Sequence, residues 1–211
     1  MLVVLCRPLG AVGWQHSPCL PSPPPRPLCS WADDASPTFD EASPAGSDYL
    51  AEVCVEWEAA ARTARDVRLV LLRTGIVLDV GGGALAKMLP AFAFFAGGPI
   101  GSGQQWFSWV HRQDVVGLIL AAINDARYEG PLNAVAPGPV RMAEACEAIG
   151  RAMSRPSWMP VPGFVVSALL GEGARVVLEG QRVLPTKAQA LGFPFRFRSI
   201  DEAMGAIAGP K

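Results

Sequence analysis

The chain has 211 residues, half of them hydrophobic, and a formal net charge of −1. That is apolar material for one sizeable core, and a charge balance that offers nothing to nucleic acid or an anionic membrane. Only Lys87, Lys187 and Lys211 are lysines, and the arginines are scattered, not gathered into a patch. No run reaches the roughly 18 apolar residues of a spanning helix; the nearest, 84–96, is broken by Lys87 and Pro90, so a soluble chain is expected. Five cysteines (Cys6, Cys19, Cys29, Cys54, Cys146) and two histidines (His16, His111) show neither metal spacing nor a Cys-x-x-Cys pair, which fits a reducing compartment.

Leu2-Val3-Val4-Leu5 reads as a buried strand. The proline run from Pro18 to Pro27 can neither pair in a sheet nor continue a helix, so residues 1–37 read as a disordered segment. The first 32 residues carry no acid, a hint of organelle targeting. From Asp40 the texture becomes globular. Ser47 or Asp48 is the expected cap of a helix whose inner face holds Tyr49, Leu50, Val53, Cys54, Trp57 and Ala61. Val67 to Leu72 is an apolar run with the look of a buried parallel strand, and residues 73–78 are expected to lead it into a loop. Gly81-Gly82-Gly83 lacks dinucleotide spacing and reads as a turn before a helix that carries Leu85, Met88, Leu89, Phe92 and Phe95.

The next stretch organises the rest. Gly97-Gly98-Pro99-Ile100-Gly101-Ser102-Gly103 is a tight loop that opens into Trp106-Phe107-Ser108-Trp109-Val110, read as one short buried strand. Asp114 is then the expected cap of an apolar helix over 115–126. Residues 130–136 predict another buried strand, and Met142, Cys146, Ile149 and Met153 mark a helix stopped by Arg155-Pro156. A short helix over 164–170 and a last one over 199–207 complete the pattern, with Trp158, Phe164 and Leu170 expected to pack on the main sheet.

Chemistry is sparsely signalled. Ser108, His111 and Asp114 lie too close in sequence, across a strand end and a helix start, to converge as a triad. Tyr49 is a weak candidate acid, because position 53, where a pKa-lowering lysine would stand, is Val53. Arg73, at the end of a buried strand, is either an anchor for an anionic ligand or half of a salt bridge.

The run from Asp48 to Glu58, the stretch Gly97 to Gln105 with Trp109-Val110-His111 and Asp114, and Asn133-Ala134-Val135-Ala136-Pro137 together resemble the NAD-dependent epimerase-like branch of the extended short-chain dehydrogenase/reductases. Residues from Met142 to Ile207, with Pro160-Val161-Pro162 and Leu178 to Pro185, are similar to that family's C-terminal domain of unknown function. Within it the likeness is greatest to the giant-chloroplast, cell-division-inhibitor-like proteins of plants and algae. The resemblance implies an α/β fold: the C-terminal half of a Rossmann-like doubly wound parallel sheet over 38–138, plus a small, mostly helical domain over 139–211. It implies NADP or NAD as cofactor beside Arg73, Thr74 and Gly75, and a substrate cleft at Gly97, Gly98, Gly101, Gly103, Gln104 and Gln105. It implies residence in the chloroplast, with either a scaffold role in plastid division or an NADP-dependent epimerase or oxidoreductase activity. The family's opening strand and Gly-x-x-Gly-x-x-Gly turn are not found here, nor is a Tyr-x-x-x-Lys pair. The expected chain is therefore a truncated form, with an exposed sheet edge open to self-association or to a partner protein.

Overall fold

The computed structural model describes residues 2–6, 38–46, 49–161 and 180–208. The proline-rich segment, the expected cap at 47–48 and the expected 164–170 helix, with Phe164 and Leu170, lie outside the described residues.

An unbroken apolar run sets the centre. Val70, Leu71 and Leu72 are fully buried in β3 (Arg68–Thr74), as expected of a strand covered on both faces. On one side β3 pairs in parallel with β7 (Gly130–Ala134), Leu72 opposite Leu132. On the other it pairs with β1 (Leu2–Cys6), which runs antiparallel, so the far edge of β3 is taken.

Residues 73–78 do not run into a loop. The strand resumes as β4 (Ile76–Leu78), parallel to β6 (Trp109–His111). The switch between partners happens at Gly75. A Cβ there would lie 2.5 Å from Ser108 O and 2.7 Å from Val135 Cγ1, so only glycine lets the backbones approach. Its N–H donates to Ala134 O, and the next N–H, of Ile76, crosses to Ser108 O.

The aromatic run is likewise two strands. β5 (Trp106–Phe107) pairs antiparallel with β8 (Val140–Arg141), and β6 follows after Ser108. Ser108 is the joint: its hydroxyl donates to Gln181 O and accepts from Val183 N at 3.0 Å, tying β9 (Arg182–Val183) to the sheet. β9 also pairs in parallel with β2 (Thr38–Phe39).

Helices lie against these strands. α1 (Tyr49–Ala61) buries Ala51 and Glu58 and half-buries Cys54; Tyr49 sits off that face and is 64% exposed. α2 (Gly83–Ala93) begins on the last glycine of the triplet and buries Leu85 and Phe92, while Phe95 lies beyond its end and is exposed. α3 (Arg112–Asn124) buries Asp114, Leu118 and Ala122, four residues apart. α4 (Met142–Met153) carries the expected stripe, with Cys146 fully buried. Burial pushes the Cys146 thiol up to about 12, so it is a core side chain without reactivity near neutral pH. α5 (Thr186–Ala190) and α6 (Ile200–Ala208) follow. Ser199 and Glu202 cap α6 reciprocally, each side chain taking the other's backbone N–H. Trp158 does not pack on the sheet. It lies in an extended segment strapped outside residues 97–101 and is 66% exposed. Parallel strands flanked by helices give the Rossmann-like α/β arrangement that the sequence predicts, with a small helical C-terminal region.

Asp114 does not cap α3. His111 is the cap, its Nδ1 accepting from Gln113 N at 3.1 Å. Asp114, only 3% exposed, accepts instead from the backbone N–H groups of Arg196 (2.9 Å) and Phe197 (3.1 Å). Those two bonds hold the strand-like segment that places Phe195 in the core formed by Val70, Leu118 and Leu132, and Phe197 in the core formed by Phe92, Trp109 and Ile149. Asp114→Ala is expected to cost about 3 kcal/mol, since it removes two charge-assisted bonds to buried donors. For a chain of this size that is a melting temperature lower by roughly 6–12 °C, read by thermal unfolding.

Candidate functional site

In open α/β sheets ligands gather at the carboxyl ends of the strands. Here those ends present Arg73 and Thr74 from β3 beside Asn133 and Ala134 from β7. Arg73 resolves as an ion pair. Its Nε and Nη2 reach the two oxygens of Glu58, at 2.8 and 3.1 Å, in a bidentate fork. Burial pushes the Glu58 carboxyl up, but Arg73 and Arg62 outweigh it and hold it below the usual range. Arg73 is in turn raised, chiefly by its bond to Glu58. Glu58 is 6% exposed; it ends the Asp48 to Glu58 run that carries part of the resemblance, and its helical spacing from Ala51 and Cys54 is the local sign that it faces inward.

Glu41 closes the neighbouring side. One carboxylate oxygen accepts from Asn133 N at 3.0 Å and the other from Lys187 N at 3.2 Å, bridging β7 to the first turn of α5. Asn133 Nδ2 donates to Leu184 O. The residues expected at a cofactor are therefore brought together, and most of their polar groups are engaged: Gly75 N–H on Ala134, Arg73 on Glu58. Among the described residues, Arg73 Nη1 and the Thr74 hydroxyl are left with no bond to the protein.

The 97–105 loop is spent mainly on the chain itself. Gly98 lies against the backbone of Met159, where a Cβ would approach its carbonyl oxygen to 2.2 Å. The loop pairs with the 159–161 segment through Met159 N to Gly97 O and Gly101 N to Val161 O. It meets α4 through Ala143 N to Gly103 O, and Gly103 has φ +72°. Gln105 Nε2 donates to Ile100 O. Ser102 and Gln104 remain exposed. Ser108, His111 and Asp114 serve three separate structural bonds and form no triad. An open groove of about 570 Å³ lies elsewhere, between α3 and residues 191–196, and none of the expected site residues lines it. Among the described residues there is no cluster that could hold a metal and no helix long and apolar enough to cross a membrane.

Comparison with known proteins agrees with this architecture. Residues 161–207 match a domain of unknown function, DUF1731. Over 170 residues the chain is 58% identical to the epimerase family protein SDR39U1 homolog, chloroplastic, of Arabidopsis thaliana, covering 80% of this chain and 49% of that protein. It is 42% identical over 169 residues to epimerase family protein SDR39U1 of Mus musculus, covering 79% and 58%. The crystal structure of human SDR39U1 (isoform 2) with NADPH superposes with a TM-score of 0.81 at 37% identity, over 86% of this chain and 63% of that one. Over most of its length the chain is thus similar to SDR39U1 proteins, which carry the epimerase family name. It spans about half the length of the curated relatives it matches.

His111 makes the site's scaffold sensitive to acid in this SDR39U1-like chain. Its ring stacks on Phe197 with centroids 3.9 Å apart, and burial lowers its pKa from the ordinary 6.5, against a smaller opposing pull from Asp114. Protonating Nδ1 abolishes the cap to Gln113. Because the folded pKa lies below the unfolded one, the contribution is complete above about pH 6.5 and is lost as pH falls through the folded value. His111→Asn keeps a capping oxygen without the titration. Its melting temperature is expected to fall less than that of the parent between pH 7 and pH 5.5, and an equal fall would contradict this role.

Proposed function

We propose that this chain supplies the substrate side of a nicotinamide-dependent epimerase or oxidoreductase. Arg73 and Thr74 face the cofactor, and the exposed part of the 97–105 loop faces the substrate. The observation that carries the reading is the Gly75 junction. It brings the carboxyl ends of β3 and β7 to one place, where Arg73 Nη1 and the Thr74 hydroxyl make no bond to the described residues. Those two donors fit the ribose or phosphate edge of a dinucleotide. When bound, such a group supplies a hydride donor and acceptor. The chain's own part is to bind and orient: Glu58 fixes the Arg73 fork, Gly75 keeps the backbones close, and Ser102 and Gln104 offer polar contacts to a substrate. The human relative solved with NADPH makes NADP the first cofactor to test, with NAD the second. Residence in the chloroplast follows the name of the Arabidopsis relative. The chain is organised as a partial nucleotide-binding domain over 38–138 and a small domain over 139–211.

A second reading, a non-catalytic scaffold in plastid division, is favoured by one observation. Tyr49 is 64% exposed and has Val53, not lysine, one turn on, so α1 carries no Tyr-x-x-x-Lys pair.

Titration with NADPH and NADH while following the melting temperature separates the two. At a ligand concentration of 100 times Kd, binding stabilises by about 2.7 kcal/mol, or roughly 5–10 °C here. A rise of that size supports the enzyme. An unshifted but cooperative melt supports the scaffold.

A further inference from the structure

A groove of about 570 Å³ runs along α3, bounded on its far side by residues 191–196. Gly192, at φ +77°, turns the chain after α5, and residues 193–196 then run back along α3. The Phe193 ring lies against the α3 backbone, where a Cβ on Gly117 would come within 3.1 Å of Phe193 Cζ. Arg196 N then bonds Asp114, one turn nearer the start of the helix. The groove therefore has two polar ends. Gln113 and Arg196 stand by the first turn of α3, and Asp125, Arg127 and Tyr128 stand past its last. From Asp114 to Asp125 is roughly 16 Å at 1.5 Å per residue. Between the ends the lining is apolar: Leu120, Ala121, Leu191, Phe193 and Pro194.

The carboxylates of the groove are spent, and its donors are not. Asp114 accepts from two backbone N–H groups, and Asp125 is held by Arg127 Nε and Nη2 in a bidentate pair. Among the described residues the Arg196 guanidinium has no ion pair and no hydrogen bond; the Phe197 ring centroid lies 5.7 Å from it. The Gln113 side-chain amide is likewise unbonded there. Tyr128 is 3% exposed, with its ring in the core beside Val70, Leu118 and Leu132. Tyr128 lines the groove, and its hydroxyl bonds to none of the described residues. Burial, and to a lesser degree Asp125, raise the phenol above its ordinary 10, so it remains a donor. A phenylalanine would fill that core equally well, and the hydroxyl contributes nothing to it.

We propose that this groove binds an elongated monocarboxylate with a second oxygen at its far end. Arg196 and Gln113 take the carboxylate, the apolar lining takes the chain, and the Tyr128 hydroxyl donates to the far oxygen. An unpaired cation at one end matches a single negative charge. The volume falls within the roughly 300–1,000 Å³ of small-molecule sites. An extended peptide fits less well, because its N–H and C=O groups would meet apolar side chains along the middle with no partner. The site lies apart from the strand ends and does not rest on the cofactor reading.

The test is calorimetric titration of the full chain with butanoate, decanoate and 10-hydroxydecanoate, in parallel with single variants. Arg196→Met removes the cation and keeps the backbone bond to Asp114. Leu120→Glu places a negative charge in the middle of the groove. Arg196 and Leu120 are both exposed, so either variant carries the localisation if the other unfolds. Tyr128→Phe keeps the buried ring and removes only the hydroxyl. Phe94→Ser, at an 82% exposed side chain outside the groove, controls for adventitious apolar binding. Saturable 1:1 binding of decanoate, with butanoate at least tenfold weaker for want of buried methylenes, is the expected result. Arg196→Met and Leu120→Glu should each weaken it at least tenfold, and Phe94→Ser should leave it unchanged. 10-Hydroxydecanoate should bind severalfold tighter than decanoate, and Tyr128→Phe should abolish that difference without weakening decanoate. No saturable binding, butanoate as tight as decanoate, no advantage for the hydroxy acid, or an equal loss in Phe94→Ser overturns the proposal. So does displacement of decanoate by NADPH, which would make the groove part of the cofactor site. Decanoate binding in a chain that NADPH does not stabilise leaves the groove site standing and overturns the cofactor reading alone.

Discussion

A single buried carboxylate, that of Asp114, holds in place a segment that enters both cores of this chain. The chain passes between the two cores at several points, among them Leu72 to Leu78 and Ala134 to Ala136; residues 193–199 do so without forming a helix or a strand, and with α6 they insert Phe195 into one core and Phe197, Ile200 and Met204 into the other. Among the described residues, 193–199 pair with no strand. Asp114 accepts from two consecutive N–H groups and so does the work of a strand edge. Each of the two phenylalanines gains about 1.5–3 kcal/mol by burial, but only if the backbone between them can be buried as well. His111 acts on the same point: it caps the helix that carries Asp114 and stacks on Phe197.

The same device recurs around the candidate site. Glu41 bonds two N–H groups from elements 92 and 146 residues away, Ser108 takes one and gives one across more than 70, and Glu58 locks Arg73. Short polar side chains thus fix the irregular segments 38–46 and 180–198 onto a sheet whose regular part is small. The outcome is a strand-end surface in which the backbone is already paired. Among the described residues, the side-chain edges of Arg73 and Thr74 are left over there, and the proposed function assigns the ligand to them.

Much of this was legible in the sequence, and the misses share a cause. The apolar run 69–72 marked β3, the mainly apolar stretch 130–136 marked β7 around Asn133, and the periodic stripe marked α4, because burial on one face or two leaves a local pattern. Residues 73–78, Gly75 among them, read from sequence as a strand running into a loop. What Gly75 does is let a strand change partners, and the atoms that demand it, Ser108 O and Val135 Cγ1, lie 33 and 60 residues on. Asp114 was read as a cap since it stands where caps stand; the cap was the histidine three residues earlier, and the carboxylate's true partners lie more than 80 residues away. The antiparallel course of β1 has no local signature either. In the site, Arg73 was visible as a cation at a strand end, whereas Glu58, which fixes its direction, is an ordinary charged residue until the fold brings it in.

The most direct test of where this chain holds a nicotinamide cofactor is hydrogen–deuterium exchange with and without NADPH. Binding at the strand ends predicts slower exchange at residues 73–76 and across 97–105, with residues 113–128 and 191–196 unchanged. Protection confined to those last two segments, which line the groove beside α3, would place the ligand on the other side of the molecule and contradict the account.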